Sequence, residues 1–206
     1  MTTQPTVFIV DDDAGVRKAL VRLMRAHGRQ ALDFASADEF WRARDPQSPG
    51  CLVLDMSMPG IDGLDLQRKL DEAGIPLPII FITGHGTIPA SVQAIKAGAI
   101  DFLTKPVSQD TLLRAVDAAI EKDRLTRLRA AELARIRERL SALTPREREV
   151  LTYVVAGRVN KQIAAVLGTV EKTIKVHRAR VMQKMGVTSV AELVRLAGRV
   201  GVTGPT

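Results

Sequence analysis

The first 120 residues carry apolar positions in two rhythms. Short, nearly all-apolar runs at 6–10, 30–34, 51–54, 78–82 and 100–103 predict strands. Helix-period stretches near 14–27, 37–44, 61–73, 87–97 and 108–122 separate and follow them. In the first of these, Val16, Leu20, Leu23 and Met24 share one face. Five strands alternating with five helices predict a parallel sheet covered on both faces. In such a sheet the chemistry gathers at the carboxyl ends of the strands.

The last of these helices has apolar positions Leu112, Leu113, Val116, Ala119 and Ile120 to lay on the sheet, and its pattern runs on. Leu125 and Leu128 do not share a heptad phase with Leu133, Ile136, Leu140 and Leu143, so a phase break falls near 129–132. This predicts a helical linker over 123–140, either paired between chains or a solvated charged helix. From 141 on, four short helices are expected. Thr144-Pro145-Arg146-Glu147 is a start signal, with Thr at the N-cap, Pro at the first helical position and Glu three after the cap. That helix reaches Val155, ahead of Gly157. Asn160 is expected to cap a second over 161–167, ended by Gly168, and a third spans 171–185, ended by Gly186. Thr188 or Ser189 caps a fourth near 190–198, and the tail 201–206 is expected to be loose. Two short helices around a glycine point to a helix-turn-helix. The organisation read this way is 1–122, a linker 123–140, and 141–206.

A length of 206 residues suggests one large domain or two small ones, and 46% apolar residues are enough to bury cores, which argues against global disorder. Charge separates the segments. Residues 1–122 hold 13 basic and 16 acidic side chains, a net of −3. The linker holds 6 and 3, and residues 141–206 hold 11 and 4, a net of +7. An acidic first half and a basic tail imply different partners, with nucleic acid the candidate for the second. The single cysteine, Cys51, excludes a disulfide framework and a cysteine-based zinc site, and it is expected to be buried. No basic region with a long apolar run opens the chain, and no stretch approaches ~18 apolar residues, so a cytoplasmic protein with no membrane partner is expected. Six of the seven aromatics precede residue 103, which argues against a base-stacking platform in the basic half.

The residues that follow the strands carry the candidate chemistry. They are Asp11-Asp12-Asp13, Asp55, Thr83-Gly84 and Thr104-Lys105-Pro106. Asp13 is most simply the cap of the first helix. Asp11, Asp12 and Asp55 would converge on one rim, where mutual repulsion calls for a cation. Oxygen ligands favour Mg²⁺ or a similar hard ion such as Mn²⁺. Lys105 adds a positive charge, and Thr83 a hydroxyl. A carboxylate beside a divalent ion, a lysine and a hydroxyl suits acceptance of a phosphoryl group.

In the basic half, Ile174, Val181 and Met185 share the inward face of the third helix, and Lys172, Lys175, Val176, Ala179 and Gln183 fall opposite. A helix of this width fits the DNA major groove, where Lys bonds guanine and a small apolar side chain touches the thymine methyl. Lys161, Arg178, Arg180 and Lys184 would meet phosphates. Charge alone does not separate DNA from RNA.

Two resemblances join these readings. Val10-Asp11-Asp12, Leu52-Val53-Leu54-Asp55 with Met58-Pro59-Gly60 and Gly63, Phe81-Ile82-Thr83-Gly84, and Asp101-Phe102-Leu103-Thr104-Lys105-Pro106 resemble the receiver domain of two-component response regulators. Leu143 to Leu151, Gly157, Asn160 to Ala164, and Thr173 to Arg178 look like the LuxR-type helix-turn-helix. The pair is similar to the FixJ/NarL class, and Gly84-His85-Gly86 and Lys96-Ala97-Gly98-Ala99 point to its FixJ branch. The resemblance implies a doubly wound, flavodoxin-like α/β receiver and a small all-α domain. It implies that Asp55 is the phosphoacceptor, charged by a partner histidine kinase. Asp12, Asp55 and the Ser57 carbonyl would hold Mg²⁺, with Asp11 acting mainly through a water. Thr83 and Phe102 match the switch pair, and the Lys105–Pro106 bond would be cis. Ser57 departs from the arginine common at its position, and Val170 stands where relatives often place a Ser cap, so Thr169 is expected to cap the third helix of the basic half and start it one residue earlier. Lys175, Val176 and Ala179 would read bases of promoter DNA, Thr173 lies in the same motif, and His177 would pack or meet a phosphate. Phosphorylation would pair two chains on the face of the fourth helix, fifth strand and fifth helix, and RNA polymerase is an expected partner. The protein is expected not to be an enzyme beyond its own phosphotransfer and dephosphorylation. An aspartyl phosphatase usually wants a second carboxylate two residues after its nucleophile, where Ser57 stands.

Overall fold

Strand residues sort to two cores because successive side chains point to opposite faces of a sheet. A computed structural model describes residues 4–84 and 88–204. The strands are β1 (Thr6–Val10), β2 (Gln30–Phe34), β3 (Gly50–Asp55), β4 (Ile79–Thr83) and β5 (Asp101–Thr104). All pair in parallel, in the order β2-β1-β3-β4-β5. Phe8, Val10, Leu52, Leu54 and Phe81 face one core, with Phe34, Phe40, Leu66 and Leu70. Val7, Ile9, Cys51, Val53, Ile80 and Ile82 face the other, with Leu20, Met24, Leu112 and Val116. Each such side chain contributes about 1.5–3 kcal/mol when fully buried. The helices α1 (Ala14–Ala26), α2 (Ala37–Ala43), α3 (Gly63–Glu72) and α4 (Ile88–Lys96) alternate with the strands, and α5 (Gln109–Ser141) follows. Asp13, Ser36 and Asp62 cap the first three, each accepting backbone N–H groups. The expected start of the fourth helix at Thr87, and the motif residues His85 and Gly86, lie outside the described residues. Cys51 is buried, and desolvation pushes its thiol up to about 12, which keeps it unreactive.

The chain divides into two compact units between Arg127 and Leu128. The residues expected to form a linker are shared between them. Asp123 is buried and accepts the Gly50 N–H (2.9 Å) and the Arg127 Nε. Arg127 in turn donates to the carbonyls of Gln47 and Ser48. These bonds anchor α5 to the loop before β3 and carry the first unit past residue 122.

The second unit holds α6 (Pro145–Val155), α7 (Asn160–Val166), α8 (Glu171–Met185) and α9 (Val190–Arg199), the four short helices expected. The tail of α5 adds to their core: Ile136 is 3% exposed, and Leu140 packs beside it. Arg139 donates to the Met185 carbonyl (2.9 Å) at the end of α8, and Glu132 pairs with Arg199. Gly186 ends α8 with φ of 65°, and a Cβ there would lie 3.1 Å from Arg139 Nη1.

Three local expectations are corrected. Asn160 does not cap α7; it lies inside the helix, and its Oδ1 accepts from Arg178 (3.0 Å), while Val159 N–H is satisfied by Gln162. Thr169 does not extend α8, which starts after Val170 with no side-chain cap. The tail is not loose over 201–204, because Val202 packs on the core and bonds the Ala197 carbonyl.

The capping box of α6 is doubly used. Thr144 and Glu147 exchange bonds, and Glu147 Oε2 also accepts from Lys184 Nζ at 2.7 Å. The Lys184 ammonium, then the Thr144 N–H, hold the Glu147 carboxyl down at about 2. A carboxyl depressed in the fold stabilises it fully above its unfolded value and loses that contribution as pH falls through the folded one. The stability gap between the unaltered chain and Glu147→Gln should therefore close as pH falls from about 4.5 to about 2. Thermal unfolding across that window measures it; a gap constant with pH would contradict the pairing.

Candidate functional site

Parallel pairing brings the polar strand ends to one rim. Asp11 follows β1 and is 2% exposed; Asp55 ends β3 and is 6% exposed. Lys105, just after β5, reaches both, with Nζ 2.7 Å from Asp11 Oδ2 and 2.9 Å from Asp55 Oδ1. The outer oxygens accept backbone N–H groups, Asp11 Oδ1 from Asp13 (2.8 Å) and Asp55 Oδ2 from Ser57 (3.0 Å). Thr83 is buried at the end of β4, and its carbonyl accepts the Lys105 N–H. The Lys105–Pro106 bond is cis. Phe102 is half-buried, its ring 6.3 Å from that of Phe81. Asp12, next along the chain from Asp11, is exposed to solvent, as is Ser57.

Burial pushes the Asp55 carboxyl up, by more than the Lys105 ammonium pulls it down. For Lys105 burial works downward, but bonding to Asp11 and Asp55 outweighs it and the ammonium stays charged. Two carboxylates against one ammonium leave the pocket one charge negative. The donors present are carboxylates and carbonyls, with neither nitrogen nor sulfur ligands, which fits a hard divalent cation. Among the described residues no three acidic, histidine or cysteine side chains form a closed metal cage. The rim thus offers a partial ligand set of the kind Mg²⁺ completes with water.

Gly63, at the start of α3, escaped notice as more than a motif residue. A Cβ there would fall 2.7 Å from the Asp55 carbonyl, 2.9 Å from the Phe81 ring and 3.1 Å from the Met56 Cα. Two of these neighbours are backbone, so Gly63→Ala must move the strand end that carries Asp55. A cost of about 1–3 kcal/mol is expected, with slowed phosphoryl uptake from a small phosphodonor, measured by unfolding and by phosphoprotein yield.

On the second unit, Ile174, Val181 and Met185 of α8 are buried, and Lys172, Lys175, Val176, Ala179, Arg180 and Gln183 are exposed. Lys161 is exposed on α7. Thr173, His177 and Arg178 are half-buried. Two of the expected phosphate ligands also have partners within the unit. Lys184 is bonded to Glu147 and to the Ala142 carbonyl, and Arg178 to Asn160. Their spacing along α8 put them on the polar face, but only tertiary packing showed these partners.

An acidic rim bridged by one lysine on a 2-1-3-4-5 sheet, joined in one chain to a basic helical unit, defines a receiver coupled to a DNA-binding output. The family comparisons agree. Residues 7–117 match the response regulator receiver domain, and residues 141–197 match the bacterial regulatory proteins of the luxR family. Nodulation protein W of Bradyrhizobium diazoefficiens is 44% identical over 202 residues, covering 98% of this chain and 89% of its own. Transcriptional regulatory protein FixJ of the same organism is 40% identical, covering 98% of both. The structure of response regulator StyR superposes with a TM-score of 0.88 at 44% identity, covering 96% of this chain and 100% of its own. The chain belongs to the FixJ-like response regulators, transcriptional regulators with a receiver domain and a LuxR-type DNA-binding domain. Among the described residues no helix is long and apolar enough to cross a membrane.

Proposed function

We propose that Asp55 accepts a phosphoryl group from the phosphohistidine of a partner kinase in the cytoplasm. The observation that carries this reading is the Lys105 ammonium bonded at once to Asp11 and Asp55. An Asp55 carboxylate oxygen attacks phosphorus, the phosphorus–nitrogen bond breaks, and the ring, already protonated on its other nitrogen, leaves as neutral imidazole. Asp12, Asp55 and the Ser57 carbonyl would hold Mg²⁺ or Mn²⁺, with Asp11 acting through a water. That ion would neutralise the equatorial phosphoryl oxygens. Lys105 turns from the free carboxylates to the added charge, and Thr83 donates its hydroxyl to it. Phe102 moves into the space Thr83 leaves, and water later returns Asp55 to its free form.

The output follows from the face this movement remodels. Ile88, Val92 and Ile95 form an exposed apolar stripe along α4, at spacings of four and three. Two phosphorylated chains pair on the α4–β5–α5 face, and their α8 helices reach two half-sites about one helical turn apart. Lys175, Val176 and Ala179 read bases. Lys161, Lys172 and Arg180 meet phosphates, as do Arg178 and Lys184 when DNA draws them from their partners within the unit, with Thr173 and His177 beside them. The receiver extends to residue 127 and the DNA-binding domain begins at 128. Bound at promoters, the dimer contacts RNA polymerase.

Footprinting with and without a small acyl phosphate and Mg²⁺ tests the whole reading. Protection is expected to strengthen with the phosphodonor, and affinity to fall with salt at a slope of about 0.9 per neutralised phosphate. Absence of protection in both conditions would refute DNA binding as the output.

A further inference from the structure

Beside the acidic rim stands a cation outside the expected site. Arg17 sits one turn into α1, and its side chain is only 15% exposed. It points back toward the strand end, where Nη1 donates to the Asp11 carbonyl at 2.7 Å and to the Asp12 carbonyl at 2.9 Å. Its Nε lies 3.4 Å from Asp33 Oδ2 on β2, which tethers the guanidinium from the neighbouring strand.

Two successive carbonyls held by one donor fix two successive peptide planes. Those planes set the backbone at Asp12, and hence the direction of its Cα–Cβ bond. The other carboxylates of the rim have side-chain anchors. Asp11 is held by Lys105 and by the Asp13 N–H, and Asp55 by Lys105 and the Ser57 N–H. Among the described residues no hydrogen bond or ion pair anchors the exposed Asp12 carboxylate. Its aim therefore depends on the backbone alone.

We infer that Arg17 is a positioning residue, which locks the β1–α1 junction so that Asp12 faces the divalent-cation position, with Asp33 locking Arg17. The inference rests on the metal-assisted reading above and adds to it a residue that never touches the ion.

The geometry makes a prediction opposite in sign to simple electrostatics. Arg17 is a cation near a site that binds cations, so its removal by charge alone would tighten divalent binding. Loss of positioning weakens it, by about 10-fold for an outer residue that orients a ligand. The experiment is Mn²⁺ binding by the full chain, without phosphodonor, followed by calorimetry. Arg17→Met is expected to bind about 10-fold more weakly. Arg17→Lys, which keeps the charge and one donor group, should recover part of the loss, and Asp33→Asn should show a smaller loss. In an Asp12→Asn background, Arg17→Met should cause no further weakening, because its effect passes through Asp12. A general loss of fold would weaken both backgrounds alike. Unchanged or tighter Mn²⁺ binding by both Arg17→Met and Arg17→Lys, with normal binding by the unaltered chain, overturns the inference. So does equal weakening with and without Asp12. An unaltered chain that binds no Mn²⁺ overturns the metal site itself, and the inference with it.

Discussion

Asp55→Asn gives a folded chain that no longer dimerises in response to a phosphodonor. The amide nearly matches the carboxylate in shape, so it can keep one oxygen on Lys105 Nζ, 2.9 Å away in the unaltered protein. It cannot act as the nucleophile. Sedimentation with Mg²⁺ and an acyl phosphate should show dimer for the unaltered chain and monomer for the variant. If pairing delivers two α8 helices to two half-sites, the variant also loses the gain from joining them, on the order of 100-fold in DNA affinity. Dimerisation that persists unchanged in the variant would contradict the assignment of Asp55.

A second large effect concerns where the DNA-binding domain begins. A fragment of residues 141–206 contains the whole luxR-family match, 141–197. It lacks Ile136, Arg139 and Glu132, which bury into the core, bond the end of α8 and pair with Arg199. Exposing the site of one buried Ile costs about 2–5 kcal/mol when truncated to Ala. Small domains hold only about 5–15 kcal/mol in total. The fragment starting at 141 should therefore unfold at much lower temperature and denaturant than one starting at 128, and should bind DNA more weakly. Circular dichroism melts of the two fragments decide it, and Ile136→Ala in the full chain should reproduce part of the loss. Equal melting of both fragments would place the boundary at 141 after all.

Most of the rim was legible because its residues follow strands. Apolar runs announced the strands, a parallel sheet has one functional edge, and Asp11, Asp55, Thr83 and Lys105 stand where each run stops. The caps of α1 and α6 were legible for a similar reason, since Asp13 and Thr144 act on residues two or three positions away. Asn160 misled because a good capping residue was preferred on type alone; the partner that claims it, Arg178, is 18 residues distant. Lys184 looked like a free basic residue because its partner Glu147 lies 37 residues earlier. Arg17 carried no signal, since carbonyl groups attract an arginine without any pattern in the side chains.

The sequence by itself determined the two rhythms, the acidic and basic halves, and the residue types at each strand end. These are local properties: periodicity, capping and charge count depend on neighbours along the chain. Only the tertiary structure decided which charges are spent internally and which stay available. Lys105 is shared between two carboxylates, Lys184 and Arg178 are bonded within their domain, and among the described residues no side-chain bond holds Lys172, Lys175 or Arg180. It also decided that α5 serves both units, through Asp123 and Arg127 at its middle and Ile136 and Arg139 near its C-terminal end. Hydrogen bonds and burial act over a few ångströms in space, whatever the separation in sequence, so no pattern along the chain encodes them.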